Sequence, residues 1–246
     1  LLGYLTGRLQ GNAKGFGFLI PDSTEEEDVY LSAENLHGAM HRDRIMVRLL
    51  KNDGKSREGE VVRVLEHANQ TVVGTFEKDR RFGFVVPDDK RIGGDIFIAK
   101  DDINGAKDQY KVVAEILKWP DKRRNAAGRI KEVLGHKDDV GTDILSIIRQ
   151  YELPEEFPEK VVREAQQIPQ AIPEEEIRRR KDLRNMRTVT IDGPDAKDLD
   201  DAVSVELLDN GNFLLGVHIA DVSYYVRRNS ELDREAYTRG TSVYLV

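Results

Sequence analysis

Five aspartates, Asp192, Asp195, Asp198, Asp200 and Asp201, crowd the stretch T-I-D-G-P-D-A-K-D-L-D-D-A-V. Carboxylates this close repel one another, and the arrangement is costly unless water or a cation offsets the charge. A hydrated, idle acidic turn is one reading of such a run. An EF-hand calcium loop fits poorly, because its alternating acids and closing Glu are absent. Magnesium suits the donors better, since it takes oxygen ligands, often one or two carboxylates completed by water and substrate phosphate. A hydrated cation held there against a phosphodiester would activate the attacking water. Gly193-Pro194 supplies a bend, and the D-L-D-D ending points carboxylates in several directions.

The segments around the cluster must position it. Val189-Thr190-Ile191 before it and Ala202 to Val205 after it predict short buried strands, which would set the loop at the edge of a packed sheet. Asp209-Asn210-Gly211-Asn212 predicts a hairpin turn, and Phe213 to Ala220 a further buried strand. His218 and Asp221 lie near one end of that strand, and His218 reads as a satisfied core histidine. The ending Thr241-Ser242-Val243-Tyr244-Leu245-Val246 reads as one more strand that closes no domain, so the chain is expected to be part of a longer protein. Ahead of this region, residues 141–187 predict a helical connector. Its first helix carries Ile144, Leu145, Ile147 and Ile148, and its second has Val161, Val162, Ala165 and Ile168 on one face. A third begins at Pro173, with Glu174 to Glu176 near its start and Arg178 to Lys181 near its end, in accord with the helix dipole.

The first 140 residues contain a repeat. K-G-F-G-F-L-I-P-D at 14–22 returns as R-F-G-F-V-V-P-D at 81–88, D-V-Y-L at 28–31 as D-I-F-I at 95–98, and Gly38-Ala39 as Gly105-Ala106. Gly3-Tyr4-Leu5 and Gly74-Thr75-Phe76 are expected to begin matching strands. Each copy reads as short strands joined by Gly, Asn and Asp turns. Strand side chains alternate faces, so Phe16 and Phe18 project together, as do Phe82 and Phe84, while Gly17 and Gly83 face the other way. Tyr30 and Phe97 add an aromatic from the neighbouring strand. With Lys14, Arg80, Arg81 and Lys100 nearby, each copy offers a platform for stacking nucleic-acid bases.

The net charge of −7 argues only superficially against a polyanionic partner. Residues 1–66 carry 9 basic and 11 acidic side chains, 67–140 carry 15 and 13, and 141–246 carry 14 and 21. The middle is the relatively basic part, with Lys122-Arg123-Arg124 and Arg129 close together, and a local positive track is what RNA binding needs. No run of about 18 apolar residues exists, so no membrane helix is expected, and no signal peptide is visible. The absence of cysteine leaves neither a disulfide nor a Cys-ligated zinc site, which suits a cytoplasmic setting.

The paired K-G-F-G-F-L-I/D-V-Y-L and R-F-G-F-V-V/D-I-F-I strings resemble the RNA-binding motifs of cold-shock domains, five-stranded OB-type barrels. The second copy has Arg81 where the first has Gly15, which bears on its turn and its RNA contacts. Two such domains followed by T-I-D-G-P-D-A-K-D-L-D-D-A-V and G-V-H-I-A-D-V-S-Y-Y-V resemble the N-terminal portion of the ribonuclease II/R (RNB) family. The resemblance implies a mostly β chain with an α+β C-terminal part. Its divisions would be cold-shock domains at 1–66 and 67–140, the connector at 141–187, and the truncated start of a mixed α/β catalytic domain at 188–246. It implies a Mg2+-dependent, processive 3′-to-5′ hydrolytic exoribonuclease acting on the 3′ end of single-stranded RNA and releasing nucleoside 5′-monophosphates. By that resemblance Asp192, Asp198 and Asp201 are metal ligands, Asp200 and Asp198 are catalytic, and Asp195 has no counterpart. Tyr244 matches an aromatic that stacks on a base near the 3′ end. Phe16, Phe18, Tyr30, Phe82, Phe84, Phe97, Lys14 and Arg81 are the expected RNA-binding residues. The residues present leave a second expectation open, a non-catalytic single-stranded-RNA-binding module.

Overall fold

The computed structural model describes residues 3–52, 57–121 and 124–245. Strands β1 (Tyr4–Gly11), β2 (Gly17–Pro21), β3 (Val29–Leu31), β4 (Arg44–Asn52) and β5 (Arg57–Glu66) close a barrel in the order β1-β2-β3-β5-β4. Strands β6 (Thr71–Lys78), β7 (Phe82–Pro87), β8 (Ile96–Ala99), β9 (Tyr110–Lys118) and β10 (Ala127–His136) close a second, ordered β10-β8-β7-β6-β9. Alternation fills both. Leu9, Leu19, Val29, Leu31, Ile45 and Val47 point into the first core, and Phe76, Val85, Ile96, Ile98 and Val112 into the second. Each such fully buried side chain contributes about 1.5–3 kcal/mol.

The register refines the repeat. Gly7 pairs with Pro21 and Gly74 with Pro87, so Gly7, not Gly3, is the counterpart of Gly74. The physical reason is the core: this alignment matches Leu9 with Phe76, both buried, whereas matching Gly3 with Gly74 sets the half-buried Leu5 against Phe76. The same alignment pairs Arg42 with Gln109. Both have positive φ, 72° and 63°, and their N–H groups donate to Leu9 O and Phe76 O.

The Gly15 difference resolves in turn length. Gly15 adopts φ 89° in a turn closed by Asn12 N–H on Phe16 O. The second turn is one residue shorter, closed by Asp79 N–H on Phe82 O, and Arg81 needs no left-handed backbone. Gly83, by contrast, is required by close approach. A Cβ there would lie 2.3 Å from Phe76 Cε2 and 2.8 Å from Glu77 O. Gly83→Ala is therefore expected to destabilise the second barrel by about 1–3 kcal/mol, and a chemical denaturation midpoint equal to that of the parent would contradict it.

The barrels form one compact unit with α1 (Thr142–Gln150), spanning residues 1–155. Met40, from the first barrel, belongs to the second barrel's core. Asp43, fully buried, accepts hydrogen bonds from Met40 N (2.9 Å), Ala68 N (3.0 Å) and His67 Nδ1 (3.2 Å), which offsets the cost of burying its charge. His67 stacks on Trp119 with centroids 4.4 Å apart. α1 packs on β6, β9 and β10, and its Arg149 forks to both carboxylate oxygens of Glu132 at 2.8 and 3.0 Å. Of the apolar residues read in this helix, Ile144, Leu145 and Ile148 are half-buried and Ile147 is exposed, whereas Thr142 and Ser146 are the residues it buries fully.

The second unit, residues 156–245, contains α2 (Glu159–Gln167), α3 (Glu174–Arg179), β11 (Asp201–Leu207), β12 (Phe213–Ile219), α4 (Val222–Tyr225) and α5 (Glu231–Arg239). α2 packs on α5, burying Val161, and Ser230 caps α5 by accepting from Asp233 N at 3.1 Å. β11 and β12 form a two-stranded antiparallel sheet around the expected turn, with Gly211 at φ 83°. Three expectations are corrected here. Val189-Thr190-Ile191 forms no strand beyond an isolated bridge at Val189, with Ile191 86% exposed, and β11 and β12 are not buried, Phe213 being 70% exposed. Their apolar side chains lie on a two-stranded sheet that no described element covers on either face. Residues 241–245 pair with no strand among the described residues. His218 is satisfied by Ser204 Oγ at 2.8 Å, but on this open sheet and not in a core.

Candidate functional site

Two groups of residues carry chemistry, and they belong to different units. In the first, β2 and β3 pair Phe18 opposite Tyr30, and the preceding turn delivers Phe16 beside them. Ring centroids are 5.8 Å apart for Phe16–Phe18, 5.6 Å for Phe16–Tyr30 and 5.7 Å for Phe18–Tyr30. In the second barrel β7 and β8 pair Phe84 opposite Phe97, and the matching distances are 5.5, 5.7 and 5.9 Å. The interplanar angles also correspond, 87°, 43° and 65° against 84°, 38° and 67°.

All six rings lie outside the barrel cores. Tyr30 is 38% and Phe97 37% exposed, and the four other phenylalanines are half-buried. Lys14 and Arg81 sit exposed on the adjacent turns, and neither makes an ion pair among the described residues. Arg80 and Lys100 are exposed too. Such faces suit base stacking beside a phosphate-binding cation. Of the basic run at 122–124, Lys122 and Arg123 lie outside the described residues. Arg129 is paired with Glu115 at 2.5 Å.

The second group is the acidic loop. An antiparallel bridge between Val189 and Val203, with N–H···O bonds of 2.9 Å in both directions, ties its base. Ala196 N donates to Gly193 O at 3.1 Å, forming the bend read from Gly193-Pro194. Asp201 begins β11 opposite Ile219, and Asp200 O accepts from Ala220 N at 2.8 Å. Asp192, Asp195, Asp198, Asp200 and Asp201 are all exposed, and none makes an ion pair among the described residues.

Tyr244 comes to this loop from 46 residues away, its hydroxyl donating to Asp198 Oδ2 at 2.9 Å. The hydrogen bond to Asp198 holds the phenol above its ordinary pKa, with a further push from the charge of Asp200. Asp198 and Asp200 therefore share one neighbourhood. No sequence pattern pointed to this hydrogen bond, since Tyr244 was singled out only as a stacking ring. Asp198→Asn is expected to return one tyrosine toward the ordinary phenol pKa. An absorbance titration of tyrosinate, with Tyr244→Phe as the reference, checks this; a curve matching the unsubstituted chain would deny the contact.

The five aspartates of the loop fit magnesium by donor type, each offering hard carboxylate oxygens. Among the described residues no three acids converge on one point. That spacing still suits an ion commonly held by one or two carboxylates. Elsewhere in this unit the basic run 178–181 is partly spent on its own acids. Arg179 and Arg180 pair with Glu176, which draws its carboxyl below the usual range, and Arg180 also pairs with Asp221 at 2.6 Å, whose carboxyl is drawn down by the Ser223 hydroxyl first and by Arg180 second. No helix among the described residues is long and apolar enough to cross a membrane.

Three family models match parts of the chain. The Ribonuclease B OB domain model matches residues 7–64, the cold shock domain model 84–158 and the RNB domain model 180–246. Ribonuclease R of Thermotoga maritima is 49% identical over 98% of this chain, and that of Escherichia coli 41% over 99%. The matches cover 34% and 30% of those proteins, so the chain spans about a third of their length. The structure of Mycoplasma genitalium RNase R in complex with ribose methylated single-stranded RNA superposes with a TM-score of 0.82 at 29% identity. That match covers 98% of this chain and 38% of the other.

Proposed function

The chain belongs to the ribonuclease II/R (RNB) family, and from that premise we propose that the protein containing it is a processive 3′-to-5′ hydrolytic exoribonuclease. Its products are nucleoside 5′-monophosphates and its setting the cytoplasm. These residues contribute an entry surface for single-stranded RNA and the acidic loop. One observation carries the catalytic part. Five exposed aspartates, none neutralised by Lys or Arg among the described residues, sit on a loop whose Asp198 and Asp200 both act on Tyr244. A purely structural turn gains nothing from leaving so much like charge unpaired.

Asp192, Asp198 and Asp201 are the candidate ligands of Mg2+, of which this arrangement brings one or two at a time within reach of an ion; when bound, the ion would supply activation of water for attack on phosphorus. Asp200 is assigned to the chemical step. Tyr244, its hydroxyl donating to Asp198, keeps that carboxylate oriented while its exposed ring is available to a terminal base. The aromatic triads hold the strand by stacking, with Lys14 and Arg81 on its phosphates.

A second reading, in which these residues alone only bind RNA, is favoured by the lack of three converging acids among the described residues. Incubation of the complete protein with 5′-labelled single-stranded RNA and magnesium separates the two. The expected product is a ladder shortening from the 3′ end. Internal cuts, or intact RNA bound without shortening, would overturn the exonuclease reading.

A further inference from the structure

Each aromatic platform belongs to a longer row of residues that crosses its barrel from strand to strand. In the first barrel Phe18 lies opposite Tyr30, Tyr30 opposite Glu58, and Glu58 opposite Lys51. In the second the matching positions are Phe84, Phe97, Ala127 and Lys118. Residues paired across neighbouring strands share one face of the sheet, so both rows run from stacking rings to a lysine. They part at the third position. Tyr30 and Phe97 differ by one hydroxyl and keep the same ring geometry, whereas Glu58 and Ala127 differ by a full charge.

Glu58 stands 3.9 Å from Lys51 Nζ, both side chains about half exposed. An exposed pair at that separation adds little stability. The second barrel closes with alanine in the same place, and its Lys118 is exposed and makes no ion pair among the described residues. The fold therefore requires no carboxylate at this point. An RNA platform has a reason against one, since a carboxylate repels phosphate. What Glu58 adds is an acceptor-only group with two oxygens, next in the row after the ring of Tyr30.

We propose that Glu58 makes the first platform selective for guanine, while the second, with Ala127, takes any base. Guanine alone among the four bases sets two adjacent donors, N1–H and N2–H, on its Watson–Crick edge, which matches the two carboxylate oxygens. Adenine and cytosine set one amino donor beside a ring-nitrogen acceptor, and uracil one N–H between two carbonyls. Each of these meets the carboxylate with a single donor and a repelled acceptor. Single-stranded RNA exposes such edges to side chains, and stacking alone tolerates any base. The inference rests on the reading that the platforms bind RNA and deepens it, dividing the work between one platform that selects and one that holds.

The test is equilibrium binding of the chain, by fluorescence anisotropy, to three labelled ten-nucleotide RNAs: all-uridine, the same with one central guanosine, and the same with inosine in its place. Guanosine is expected to tighten binding about tenfold over uridine, and inosine, which lacks only the N2 amino group, to forfeit most of that gain. Glu58→Ala, which reproduces the row of the second barrel, should bring the guanosine-to-uridine ratio close to one. Release of Lys51 shifts all three affinities alike, so the ratio is the quantity read, with circular dichroism confirming the fold. A guanosine preference that survives Glu58→Ala would assign it to stacking and overturn the proposal, as would inosine equal to guanosine in the unsubstituted chain. Equal binding of all three RNAs would overturn it too and leave the RNA reading standing. Binding of none would overturn both.

Discussion

Asp200→Asn in the complete protein is expected to slow RNA hydrolysis by about 10²-fold or more, while RNA affinity stays within about threefold, less than one lost base stack would cost. The substitution preserves shape and removes one charge. Its main chain is held independently, Asp200 O accepting from Ala220 N at 2.8 Å where the loop joins β11. The side chain is exposed and, among the described residues, without an ion pair. Removing a negative charge from a crowded acidic loop also relieves repulsion, so the fold has no reason to weaken. A selective rate loss then reports chemistry. Single-turnover hydrolysis and equilibrium binding on the same preparation check this, and equal loss of both would make the cluster structural.

Phe16→Ala combined with Phe18→Ala is expected to weaken single-stranded RNA binding by about 1–3 kcal/mol per lost stack. The correspondence of the two triads sharpens the prediction. Their centroid distances agree within a few tenths of an ångström and their ring angles within a few degrees. If both faces meet RNA, Phe82→Ala with Phe84→Ala costs about as much; if one face is unused, its pair of substitutions is silent. Unchanged affinity in both, with circular dichroism showing an intact fold, would return the rings to a packing role. The slope of log affinity against log salt should be unaffected by the aromatic substitutions and become shallower for Lys14→Ala with Arg81→Ala.

The barrels were legible because two local signals agreed: alternation in Phe16–Ile20 and Phe82–Val86, and turn residues between the strands. The hairpin at 208–212 was legible for the same reason. Cover was not. Apolar content in Phe213–Ile219 shows what a strand can bury, but not what lies over it, and in this chain nothing described does. Contacts between distant segments were equally silent. Tyr244 with Asp198, His67 with Trp119, and Met40 in the neighbouring core leave no period in the sequence.

Met40 has a consequence for how the chain is made. It comes from the first barrel's segment yet belongs to a core whose members run as late as Ile130. During synthesis at roughly 5–20 residues per second, the ribosome exposes this thioether on the order of ten seconds before its socket exists. If the first barrel closes as it emerges, it is expected to carry Met40 as an unsheltered plug until the second barrel is made. Biogenesis couples the two barrels in time: a pause in translation between them prolongs the interval in which the nascent chain is open to chaperones and to aggregation. Chimeras that exchange one barrel between relatives inherit the same constraint, and must carry Met40 and its socket together.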